Sequence, residues 1–70
     1  MGKLEAGQRW AWKQSGDVFE ILEVASNIYL YRYEKETFSS ITFKNSFEDH
    51  EYFVAEGRLW RVTPLMEALL

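Results

Sequence analysis

His50 is the only histidine in the chain, and it lies in FEDHEYF among Glu48, Asp49 and Glu51. Such a cluster has the residue types of a hard-metal site or a general base, because neighbouring carboxylates raise imidazole basicity and offer oxygen ligands. The donor supply is short, however. With no cysteine and no second histidine, a zinc ion would need an all-carboxylate remainder. Neighbours in sequence do not converge on one ion by themselves. His50 is therefore expected as a solvated, charged-form side chain in an acidic turn, with no metal and no cofactor bound.

The other reactive types lead no further. Glu20 with Glu23, or Glu34 with Glu36, could divide acid and base work, but these residues alternate with core positions or occupy a turn. Ser39 and Ser40 have no positioned histidine, and Gly2, Gly7, Gly16 and Gly57 do not form a phosphate-cradling series. A chain of 70 residues also leaves little room for both a core and a concave substrate cavity. The expectation is that the protein is not an enzyme.

Binding chemistry is better represented. Tyr29, Tyr31 and Tyr33 share one side of the stretch NIYLYRY, with Arg32 and Lys35 close by and Trp12 on a neighbouring segment. Aromatic rings bordered by both charge signs can anchor a protein partner, and Trp12, Tyr29, Tyr31, Tyr33, Arg32 and Lys35 are the expected contact residues. Nucleic acid is the alternative partner: bases could stack on the strand-three tyrosines while Arg9, Lys13, Arg58 and Arg61 form a basic rim, provided the first and last strands adjoin. Eight basic residues against eleven acidic ones, a net charge of −3, favour protein over phosphate.

Positioning these residues requires a sheet. VFEILEV and NIYLYRY alternate with period two, and Ala25–Asn27 punctuates them, so Val18–Tyr33 reads as an antiparallel hairpin. In VFEILEV, Phe19 and Ile21 compete with Leu22 and Val24 for the core face, which points to a bulge. A first strand is read over Gly7–Lys13, with Trp10 and Trp12 on one face and a turn at Gln14–Asp17 in which Gly16 takes positive φ. A fourth strand is read over Phe38–Phe43. Ser46 can then cap a helix, and Ser46–Glu51 reads as one helical turn or an irregular excursion, with Phe47, His50 and Val54 near one helical face. A fifth strand follows at Tyr52–Ala55, and a turn at Glu56–Gly57 leads into RLWRV as a final hairpin. Thr63–Pro64 begins a short C-terminal helix over 64–70, which closes the barrel or meets a second copy of the chain.

The pattern defines one domain over residues 1–70: a mainly β, small antiparallel barrel of five or six strands, with its core over 7–62. Ile21, Leu30, Ile41 and Val62 are expected in that core. A hydrophobic content of 47% separates the chain from disordered ones. It contains no run of about 20 apolar residues that would span a bilayer. The opening MGKLEAG does not lead into a signal segment, and the lack of cysteine favours a cytoplasmic setting.

The succession Gly7, Trp10, Gly16, Phe19, Glu20, Ile21 and Val24, followed by a tyrosine-rich strand, resembles the SH3-like barrels of small bacterial and phage proteins with no assigned role. The likeness covers about residues 7–62. It implies a binding module, such as an accessory or inhibitor protein. The chain departs from true SH3 domains in lacking their acidic loop and proline-binding aromatic cluster, so proline-peptide recognition is not part of the expectation.

Overall fold

A computed structural model of the chain describes residues 3–63. Five strands form a curled antiparallel half-barrel: β1 (Arg9–Trp12), β2 (Val18–Val24), β3 (Ile28–Tyr33), β4 (Phe43–Ser46) and β5 (Leu59–Val62). The order across the sheet is β4-β3-β2-β1-β5. One helix, α1 (Phe47–Ala55), joins β4 to β5. The expected helix over 64–70 and any dimer contact through it lie outside the described residues.

The Val18–Tyr33 hairpin forms as its alternation predicts, with Phe19 opposite Tyr33 and Ile21 opposite Tyr31. Its register shifts between Ile21 and Glu23, the expected bulge. That shift brings Val24 opposite Tyr29, on the core face after Phe19 and Ile21, where it packs against the core. Gly16 has φ of 77°, a conformation open to glycine at little cost, and it closes the β1–β2 turn.

The fourth strand differs from the sequence reading. β4 runs over Phe43–Ser46, and Phe38 instead ends a 3₁₀ turn over Glu36–Phe38. Pairing of β3 with β4 is confined to Ile28–Tyr31 against Phe43–Ser46, leaving residues 34–42 as a connection. Ile41 consequently stands in solvent at 44% exposure. Of the other expected core residues, Ile21 is fully buried, and Leu30 and Val62 are half-buried.

The expected fifth strand at Tyr52–Ala55 is helix. Ser46 Oγ accepts the Asp49 N–H at 3.0 Å, and Glu48 and Asp49 in the first turn complement the helix dipole. Glu56–Gly57 is the helix end rather than a hairpin turn. Arg58 N–H bonds to Phe53 C=O and Gly57 N–H to Val54 C=O, the paired bonds of a Schellman cap, with Gly57 at φ of 72°. The segment after it pairs with β1, not with Tyr52–Ala55: Trp12 faces Leu59 and Ala11 faces Trp60. Leu59 therefore shares the inner face with Trp10 and Trp12 and is 2% exposed, while Trp60 points outward at 42%.

The core is largely aromatic: Trp10, Phe19, Tyr29 and Tyr31, with Ile21 and Leu59. Phe19, completely buried, has ring contacts with Trp12, Tyr29, Tyr31 and Tyr33. Tilted and edge-to-face arrangements predominate, as ring quadrupoles favour.

Candidate functional site

The expected contact residues part company in three dimensions. Tyr29 and Tyr31 are interior, at 0% and 9% exposure, and present no stacking platform. Burial raises the pKa of both phenols, that of Tyr29 to about 12, so both stay protonated. Arg32 stands on the outer face opposite Glu20, which is itself opposite Arg9, an alternating charge row across the sheet. Trp12 and Tyr33 meet at one end of the half-barrel, where Lys35 pairs with Asp17.

At this end the strand geometry places Trp12, the last residue of β1, beside Tyr33, the last of β3. The Trp12 indole N–H donates to the Tyr33 hydroxyl at 3.0 Å, and Phe53 meets the Trp12 ring edge-on with centroids 5.1 Å apart. Arg58 covers the Phe53 ring at 4.8 Å, within cation–π range. Trp12, Lys13, Gln14, Ser15 and Arg58 line an open groove. Lys35 faces Asp17 at 3.7 Å and Arg58 faces Glu56 at 3.4 Å, whereas Lys13 has no ion pair among the described residues. Phe38 and Ile41, left in the β3–β4 connection, are exposed apolar residues, and Phe38 lies 6.3 Å from the Tyr33 ring.

The first and last strands do adjoin, but the four cations do not form one rim. Lys13 and Arg58 are neighbours through the Lys13 N–H to Arg58 C=O bond. Arg9 makes a bidentate bond to Glu34 at 2.5 and 2.6 Å, and Arg61 lines a different cleft on the inner side of the sheet.

His50 corrects the reading of a solvated turn: it is 2% exposed, on the inward face of α1. Its orientation follows from a chain of donors. The Ser46 backbone N–H donates to Asn45 Oδ1 at 3.0 Å, which turns Asn45 Nδ2 towards the Tyr29 hydroxyl, 3.1 Å away. The Tyr29 oxygen accepts that bond, and its own proton goes to His50 Nδ1 at 2.7 Å. The imidazole proton is thereby assigned to Nε2. Desolvation lowers the His50 pKa to about 4, opposite to the shift expected from the nearby carboxylates, so the ring is neutral at pH 7. The signal for its burial is the helical spacing of Phe47, His50 and Val54. Glu48, Asp49 and Glu51 lie on exposed positions of the same helix.

Above His50, Lys3, Leu4, Gln8, Trp10, Phe47, Glu51 and Arg61 complete a cleft of about 330 Å³. The Trp10 ring meets His50 edge-to-face at 4.3 Å, and its indole N–H donates to Gln8 Oε1 at 3.1 Å. Gln8 Nε2 in turn donates to the Lys3 carbonyl at 2.8 Å. Among the described residues, His50 Nε2 is the buried side-chain polar atom that has no hydrogen-bond partner.

Comparison with protein-family models, curated proteins and solved structures finds no match. Among the described residues, no group of three or more His, Cys, Asp or Glu is placed to hold a metal ion. No helix among them is long and apolar enough to cross a membrane.

Proposed function

We propose that the chain is a non-enzymatic protein-binding module of SH3-like type, whose contact surface is the Trp12–Tyr33 end of the half-barrel. The SH3-like reading rests on the β1–β4 meander with β5 returning beside β1. The observation that carries the binding surface is the groove in which Trp12, its indole hydrogen-bonded to Tyr33 behind it, adjoins Lys13 and Arg58. Rings held by packing and a hydrogen bond lose little further freedom on binding, which makes them effective anchors. Lys13, without an ion pair among the described residues, favours an acidic segment that carries an apolar side chain. Tyr29, Tyr31 and Arg32 are not part of this surface.

The test is affinity capture with the wild-type chain, Trp12→Ala and Lys13→Glu, beside titrations with single-stranded and duplex DNA and RNA at low and near-physiological salt. Lys13 is exposed, so its reversal leaves the fold in place. A partner retained by wild type, lost with both variants and carrying an acidic contact segment is the expected result. Micromolar nucleic-acid binding that persists at physiological salt and is abolished by Lys13→Glu, with no protein recovered, would reject the reading in favour of phosphate recognition.

A further inference from the structure

The cleft over His50 lies away from the Trp12–Tyr33 groove and shares no lining residue with it. Two independent features mark it. One is a concave space of about 330 Å³, at the lower end of the size range of small-molecule sites. The other is the buried Nε2 of His50, which has no hydrogen-bond partner among the described residues and carries the imidazole proton once Nδ1 accepts from Tyr29. A buried donor left without an acceptor destabilises the fold, and a ligand oxygen would relieve that cost on binding.

We propose that this cleft binds a small aromatic monocarboxylate, with His50 Nε2–H donating to a carboxylate oxygen and the ring resting against Trp10, Phe47 and Leu4. The charge balance selects the ligand. Lys3 and Arg61 against Glu51 leave one net positive charge around the cleft, which suits a monoanion and disfavours a phosphate dianion. The floor selects its body: Trp10 is held by Gln8 and by His50, so the apolar surface is formed before any ligand arrives. The donor chain selects the contact. The Tyr29 hydroxyl accepts from Asn45 and gives its own proton to His50 Nδ1, which leaves the imidazole proton on Nε2, an atom with no partner among the described residues that a ligand oxygen can meet. Lys3, Glu51 and Arg61 are exposed at the rim of the cleft.

The probes are benzoate, benzyl alcohol and inorganic phosphate, titrated into the full chain labelled with ¹⁵N-histidine and followed by NMR at the His50 Nε2 resonance and by calorimetry. Saturable binding of benzoate with a downfield shift of the Nε2 proton is expected, at least tenfold tighter than benzyl alcohol or phosphate. In His50→Asn the amide can still meet Tyr29 but cannot reach the cleft, so benzoate affinity should fall at least tenfold. Arg61→Ala, at an exposed position, should weaken it several-fold with the amide spectrum otherwise preserved. Absence of a saturable response to benzoate would overturn the proposal and leave the Nε2 proton on the Trp10 face. Equal binding of benzyl alcohol or phosphate, or unchanged benzoate affinity in a folded His50→Asn or Arg61→Ala variant, would overturn it as well.

Discussion

A neutral imidazole at the end of a donor relay ties His50 to the stability of the fold as well as to the cleft. Its pKa is about 4 in the folded chain against 6.5 for a solvated histidine. Above pH 6.5 neither state takes up the proton and the full stability is present. As pH falls from 6.5 towards 4 the unfolded chain protonates first, so stability drops; below 4 both states are protonated and this contribution is gone. The loss approaches about 3 kcal/mol at its limit, and roughly 2 kcal/mol is expected by pH 5. Urea melts of wild type and His50→Asn at pH 7.5 and pH 5 isolate it, because carboxylate effects common to both cancel. Equal pH dependence in the two proteins would show that His50 is not buried as a neutral ring. The acidic neighbours of His50 misdirect a reading by adjacency, since a helix sends residues one apart to different faces. The spacing from Phe47 to His50 to Val54 holds the correct answer, but it becomes decisive only once the helix is known to continue past Glu51.

At the scale of elements, signals carried by a few local atoms were legible and those set by distant pairing were not. Ser46 announced the start of α1, and Ser46→Ala should cost about 1 kcal/mol in a chemical melt. The extent of the helix was hidden because YFVA is rich in aromatic and β-branched types suited to strands, and only the cap at Gly57 shows where the chain stops turning. Period two was right for the Val18–Tyr33 hairpin yet wrong at Phe38–Phe43, where Phe38 approaches Tyr33 from a 3₁₀ turn and Ile41 stands in solvent. The phase of β5 was likewise invisible: one residue of register exchanges the faces of Leu59 and Trp60, and pairing with Trp12 and Ala11 decides it. Leu59→Ala should thus destabilise by roughly 2 to 5 kcal/mol. Trp60→Ala should cost less than about 1 kcal/mol, despite the larger ring, since removing a surface side chain leaves no core cavity. Denaturant midpoints of the two variants, compared with wild type, check this ranking, and the reverse order would place β5 one residue out of register.

For the whole molecule, the aromatic centre is what allows so short a chain to support two separate surfaces. At 70 residues the net stability expected is roughly 4 to 10 kcal/mol, so a single core ring is a large part of it. Phe19 is the ring on which both ends converge: it touches Trp12 and Tyr33 on the groove side and Tyr29, the partner of His50, on the cleft side. Its removal opens a cavity that four neighbouring rings, each with its own packing or hydrogen bonds, cannot all move to fill. Phe19→Ala should therefore lose roughly 3 to 5 kcal/mol and populate unfolded chain under mild conditions. Phe19→Leu, which restores most of the volume, should lose appreciably less. Following the Trp12 and Tyr29 environments by NMR through a urea titration distinguishes a shared core from two independent ends. With Phe19 as the common support, both environments change at the same urea concentration in wild type, and both midpoints move together in Phe19→Leu. A Phe19→Ala loss below about 1 kcal/mol, or a midpoint that shifts at one end alone, would mean that the ends are held by separate packing.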